Sequence, residues 1–165
     1  MTSMDELFRP PGAQWQPLSP NYLKMKMILI LTVWPILIAI VVTPVAFLLP
    51  GPSWWILLVV LGLVWLWRIL RQPKAVRRWG YAETDTDVYI THGLAWRQLT
   101  GVPYGRMQLV NVQSGPLERA FDLASVEMVT SSTSGTITIP GLSRDDAAAL
   151  RDRLMERGEL LQAGI

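Results

Sequence analysis

The chain of 165 residues contains no cysteine, which excludes a disulfide framework, a thiol nucleophile and any cysteine-based metal site. It has a single histidine, His92, in an expected turn, and neither an HExxH pattern nor a glycine-rich phosphate loop. Ser131, Ser132 and Ser134 fall in a Ser/Thr/Gly loop with no base in view. The acid pairs Asp85/Asp87 and Asp145/Asp146 are accounted for by a turn and by a helix N-terminus, where the dipole favours anions. No catalytic residue, cofactor site or metal site is therefore expected, and the chain reads as something other than an enzyme. Internal repeats are also absent.

The most telling shortage is of charge over residues 27–70. Met27–Leu49 carries no charged side chain, and Trp54–Leu70 carries one, Arg68 near its end. At about 1.5 Å rise per residue these runs make helices of roughly 35 and 25 Å, against a hydrocarbon core of about 30 Å. Two adjacent helices that are apolar on every face predict a transmembrane hairpin, turned by Pro50-Gly51-Pro52-Ser53. Neither span holds an acidic or amide side chain, so no ion or proton path is indicated. Trp54 and Trp55 at one end of the second span and Trp65 and Trp67 at the other match interfacial aromatic belts.

What charge there is lies unevenly. Lys24 and Lys26 precede the first span, Arg68, Arg71, Lys74, Arg77 and Arg78 end and follow the second, and the connecting turn is neutral. The positive-inside rule then puts both termini in the cytoplasm of a multi-pass plasma-membrane protein. The five cations at 68–78 are candidate contacts for anionic lipid headgroups, each worth about 1 kcal/mol near such a leaflet. From Tyr81 onward the balance reverses, with 7 Arg against 11 Asp plus Glu. A folded part that is acidic beside a basic juxtamembrane patch excludes nucleic acid as the expected partner.

Residues 1–26, with Pro10, Pro11, Pro17 and Pro20, read as a cytoplasmic tail of little intrinsic structure. Spans follow at 27–49 and 54–70, then a basic linker at 71–78, with the second helix expected to stop near Gln72 before Pro73. Over 79–157 the period becomes that of strands: Tyr81–Thr84, Val88–Thr91, Leu94–Leu99, Arg106–Gln113, Val126–Thr130 and Thr136–Ile139. A helix N-capped by Ser143 closes the domain with Ala147, Leu150 and Leu154 on one face, Gly158 ends it, and 158–165 is a C-terminal tail. The fold class is α+β: a two-helix hairpin, then a small curved sheet or β-barrel capped by a C-terminal helix.

Val102-Pro103-Tyr104-Gly105-Arg106-Met107-Gln108-Leu109-Val110 resembles the "iPYxrIQnV" strand of the YdbS-like bacterial pleckstrin-homology (PH) domain family. Gly115-Pro116-Leu117-Glu118-Arg119-Ala120-Phe121 is similar to the "GplxRxfG" element that follows it, and Gly141-Leu142 with Ala147 and Leu150 to the family's closing segment. Asp122 stands where that pattern has glycine, so a turn of different construction is expected there. The resemblance covers about residues 20–157 and implies a PH-like barrel; fold alone does not imply phosphoinositide binding.

Tyr104, Arg106, Gln108, Glu118 and Arg119 form the densest polar constellation and are the candidate interaction residues. Tyr104, between Pro103 and Gly105, is expected at an outward bend as an interface anchor, and Arg119 as a donor to backbone carbonyls freed after Gly115-Pro116. Two functions follow as expectations. One is a membrane-anchored module for protein interaction or self-assembly, with itself or another membrane protein as partner. The other is a sensor of anionic headgroups acting through the basic segment and the PH-like domain.

Overall fold

Residues 14–48, 51, 53–94, 96–131 and 135–162 are described by a computed structural model. Residues 1–13 of the expected tail over 1–26, Leu49 at the end of the first expected span, Pro50 and Pro52 of the turn, Ala95 of the expected strand Leu94–Leu99, 132–134 of the serine loop and 163–165 of the expected C-terminal tail lie outside them. The chain divides into two compact units, one formed by Leu23–Lys74 and the other by the segments that flank it.

The helical unit follows from its composition. Helix α1 spans Pro20–Leu48 and helix α2 spans Ser53–Arg77, both longer than the spans expected from the charge-free runs. Pro35 and Pro44 are carried inside α1, and Pro73 inside α2, which continues past it so that most of the expected linker is helical. Each proline costs one ladder hydrogen bond but leaves the rest of the helix intact. Trp65 donates its indole N–H to the Ile30 carbonyl at 3.1 Å, and the Arg68 guanidinium lies 5.1 Å from the Trp34 ring centre, tying the two helices. Both helices are long and apolar enough to cross a membrane, and their side chains are exposed nearly all round.

Among the described residues the other unit has seven strands in two sheets. Strand β1 (Gln14–Pro17) pairs with β2 (Gly80–Glu83), β2 with β3 (Asp87–His92), and β3 with β4 (Gln98–Pro103), all antiparallel. A second sheet joins β5 (Met107–Gln113), β6 (Leu123–Thr130) and β7 (Thr136–Ser143). A 3₁₀ turn at Tyr104–Arg106 carries the chain from one sheet to the other, and a short helix α3 (Pro116–Ala120) links β5 to β6. The barrel is not closed: two separate sheets face helix α4 (Arg144–Gln162), whose side chains, not ladder bonds, fill the opening. Ala147, Leu150, Leu154 and Gly158 form its buried stripe against a core of Val88, Ile90, Val102, Leu123, Val126, Met128 and Ile139. Each large aliphatic side chain so buried contributes about 2 kcal/mol. Ser143 caps α4 as expected, its Oγ accepting from the Asp146 N–H at 3.1 Å.

Several expectations are corrected here. The region read as a tail over 1–26 supplies β1 and the start of α1: Ser19 donates to the Gly141 carbonyl, and Leu18 and Tyr22 are buried. Gly141 has φ +69° and lies under the Tyr22 ring, where a Cβ would come within 2.3 Å, so only glycine fits. The strand expected at Leu94–Leu99 begins at Gln98, because Gly93, at φ +105°, makes a tight loop first. Gly158 does not end α4 but packs inside it, close to the Tyr104 carbonyl. Asp122 adopts φ +56°, so it takes up the left-handed conformation for which the family pattern has glycine, and its carboxylate pairs with Arg144 at 3.1 Å. His92, expected in a solvated turn, ends β3 with its ring stacked 4.8 Å from that of Trp79.

Candidate functional site

Helix α4 presents two different sides. Asp146, Arg153 and Arg157, spaced by whole turns, line a polar cleft of about 630 Å³ with Gln16 of β1 and Tyr81 and Glu83 of β2. Arg153 grips Glu83 with two parallel bonds, Nη2 to Oε1 at 2.8 Å and Nε to Oε2 at 3.1 Å. That bond raises the Arg153 pKa above its usual value against the opposing effect of burial. Tyr81 donates its hydroxyl to Gln16 Oε1 at 2.5 Å. Burial first, then the charges of Glu83 and Asp146, push its pKa up to about 12, so it stays protonated. Arg157 donates to the Thr84 carbonyl at 2.7 Å and to the Tyr104 hydroxyl at 3.0 Å. Glu83 and Arg153 neutralise each other, and Arg157 is held by a carbonyl and a hydroxyl. Its chemistry is that of a clasp between α4 and the β1–β2 pair.

On the other side of α4, Met107 and Val110 of β5 face Leu154, Met155 and Gly158 across a groove of about 240 Å³, with Gln108 and Glu159 at its rim. Strand β5 is the outer strand of its sheet, hydrogen-bonded to β6 alone among the described strands. Leu109 is 52% exposed, and Val112, Met155 and Leu160 are exposed as well. An outer strand with exposed apolar side chains is a template for an added strand.

The five candidate interaction residues do not form one cluster. Gln108 lines the groove and Arg106, in the 3₁₀ turn, is exposed just before it. Tyr104 is fully buried, which overturns its reading as an exposed anchor. The 3₁₀ turn swings its ring inward, where its hydroxyl donates to the Thr84 carbonyl at 3.1 Å and the Arg157 guanidinium lies 5.5 Å from its ring centre. Burial raises its pKa, and Arg157 opposes the rise. Glu118 and Arg119 sit on α3, at the far end of β5. Glu118 accepts from the Gly115 N–H at 2.9 Å and from Ser125 Oγ at 2.7 Å, and Arg119 Nε donates to the Ser114 carbonyl at 2.9 Å. These two serve the turn, and Arg119 does so at the exposed surface rather than over buried acceptors.

A family model described as a bacterial PH domain matches residues 27–158, which takes in both helices, both sheets from β2 onward and most of α4. The chain belongs to the bacterial PH domain family. This bacterial PH domain protein is also 30% identical over 144 residues to transmembrane protein YdbS of Bacillus subtilis (strain 168), an alignment covering 83% of this chain and 88% of that relative. No solved structure matches it. Together with its two candidate spans, these likenesses make it a membrane-associated, YdbS-like bacterial PH domain protein.

The candidate lipid contacts of this bacterial PH domain protein are split by its two units. Arg68, Arg71 and Lys74 belong to the helical unit, where Arg71 stacks 4.5 Å from the Trp67 ring centre. Arg77 and Arg78 belong to the β unit, where Arg78 Nη1 donates to the Leu94 carbonyl at 2.8 Å. The sequence reading missed the Glu83–Arg153 and Tyr104–Arg157 pairs, whose partners lie 70 and 53 residues apart. Only the helical spacing of Arg153 and Arg157, along one flank of the apolar stripe, hinted that both would face one way.

Proposed function

We propose that the chain is a non-enzymatic, two-pass protein of the plasma membrane that presents its PH-like unit in the cytoplasm for interaction with another membrane protein or for self-assembly. The observation that carries this reading is the outer position of β5, bonded to β6 alone among the described strands, with exposed apolar side chains beside the α4 groove. An extended segment laid along β5 would gain main-chain bonds from the strand and apolar contact from Leu109 and Met155. The two-pass topology is supported by strand pairing. β1 precedes α1 and β2 follows α2, yet Pro17 stands opposite Gly80, so both ends of the helical segment lie on one side. Lys24, Lys26 and the cations of 68–78 favour the cytoplasmic side.

Affinity capture of the full chain in mild detergent, wild type beside Leu109→Arg and Met155→Glu, tests the interaction reading. A partner or second copy retained by wild type and lost by both variants is the expected result. A partner set unchanged in both variants would overturn it. The headgroup-sensing alternative rests on the five acid-free cations at 68–78. Neutralising them should abolish selectivity for anionic liposomes if that reading holds, with insertion preserved.

A further inference from the structure

Helices α1 and α2 do not close on each other along their whole length. They are tied where the Trp65 indole N–H reaches the Ile30 carbonyl at 3.1 Å and where the Arg68 guanidinium lies over the Trp34 ring. Beside these ties runs a groove of about 440 Å³, lined by Pro35, Ala39 and Val42 of α1 and by Leu58, Gly62 and Trp65 of α2. The small side of Ala39 and the bare Cα of Gly62 leave it room. A Cβ built at Gly62 meets no described atom within 4 Å. Apolar walls that face a gap forfeit the dispersion contacts a filler would give them. Water is a poor filler, since walls made almost wholly of carbon offer it too few hydrogen-bond partners.

Charge separates the occupants a bilayer offers. The helical unit, Leu23–Lys74, holds Lys24, Lys26, Arg68, Arg71 and Lys74 and not one acid. Arg68 and Arg71 lie over the rings of Trp34 and Trp67, and an aromatic face orients a cation without neutralising it. A second copy laid against the groove with the same end up would meet these cations with its own, and like charges repel. An anionic phospholipid supplies both missing parts, an apolar chain for the groove and a phosphate for the guanidiniums. The lengths agree as well. Arg68 stands ten residues beyond Leu58 on α2. That is about 15 Å of rise, half of a hydrocarbon core of about 30 Å and so the reach of one acyl chain.

We propose that the groove between α1 and α2 binds one anionic phospholipid, its acyl chain lying between Ala39 and Gly62 and its phosphate beside Arg68 and Arg71. The proposal rests on the membrane reading of the helices and is independent of the β5 surface. It differs from headgroup sensing by residues 68–78 in requiring the chain as well as the charge. The lipid becomes a packing element of the hairpin, so the closeness of its two helices depends on a supply of anionic lipid.

Native mass spectrometry of the full chain, held in mild detergent with equal amounts of phosphatidylglycerol and phosphatidylcholine, tests this. Gly62→Leu fills the groove, Arg68→Gln removes the cation, and Arg68→Lys keeps it. Leu63→Phe adds bulk at an exposed position outside the groove lining. The expected result is one phosphatidylglycerol retained by wild type, Arg68→Lys and Leu63→Phe, and none by Gly62→Leu. Arg68→Gln should hold it about fivefold more weakly, the worth of one cation at an anionic surface. Equal retention of the two lipids overturns the proposal, as does wild-type retention by Gly62→Leu or its loss in Leu63→Phe. So does a lipid-free wild-type dimer that Gly62→Leu dissociates, which would give the groove to a second copy. A wild-type chain that stays soluble without detergent overturns the membrane reading itself, a failure distinct from the others.

Discussion

The two units use the same side chains to opposite ends. In the β unit, Val88, Ile90, Leu150 and Leu154 are sealed between two sheets and a helix. In the helical unit, Ile36, Ile40, Ile56 and Leu63 stand more than half exposed, on residues of equal hydrophobicity. Water would make the second arrangement untenable, at about 25 cal/mol for each square ångström of apolar surface left wet. The difference teaches that the two units are built for different solvents. A sequence with only 17% charged residues is not uniformly apolar; its apolar residues are divided between a buried core and two helices that expose them.

A charge placed in each unit breaks the comparison most sharply. Leu154→Asp puts a carboxylate in the sealed stripe of α4 and should cost about 5 kcal/mol or more, enough to unfold the β unit. Leu63→Asp, in the middle of α2, should cost about 3 kcal/mol of insertion while leaving β-unit melting unchanged. Circular dichroism melts and alkaline membrane extraction of the two variants read the contrast, and matching defects in both assays would erase it. Next in size is Tyr104→Ala, which should lower the β unit's stability by about 4 kcal/mol, because a buried aromatic and the partner of Arg157 are lost together. Wild-type melting with weakened association would return Tyr104 to the surface.

The β unit should also answer to alkali. Tyr81 titrates near 10 when unfolded and at about 12 when folded, so the folded unit holds this proton more tightly. The stability it contributes is full below pH 10 and is lost as pH rises through 12, by about 3 kcal/mol at most. Tyr81→Phe should flatten that part of the pH–stability curve, and an unchanged slope would refute the assignment. The smallest effect belongs to Arg119→Ala. Its bond to the Ser114 carbonyl is exposed, so the loss should stay under about 1 kcal/mol in thermal melts.

Legibility in the sequence tracked how local each cause was. The apolar runs, the Ser143 cap, the stripe Ala147–Leu150–Leu154 and the outline of β5 follow from neighbours within a few residues, and all stand in the structure. Strand β1 was hidden because four residues ending in Pro17 show no clear alternation, and their partner lies across the whole helical segment. Tyr104 was misplaced because Pro103 and Gly105 signal a bend without saying which way the ring turns. The groove needed β5 and α4 together, and only Gln108 of the polar constellation lies in it.

The pairing of β1 with β2 has a consequence for the order of events during synthesis. Pro17 leaves the ribosome well before Gly80, with 62 residues between them that hold both apolar helices. At about 5–20 residues per second, the first strand waits roughly 3–12 s for its mate. In that interval the whole helical segment is made, so the sheet is completed only after both helices have left the ribosome. Completion of the four-stranded sheet thus acts as a proofreading step. A chain in which the two ends of the helical segment are held apart is left with an unmatched strand edge, the kind of surface that chaperones and proteases recognise.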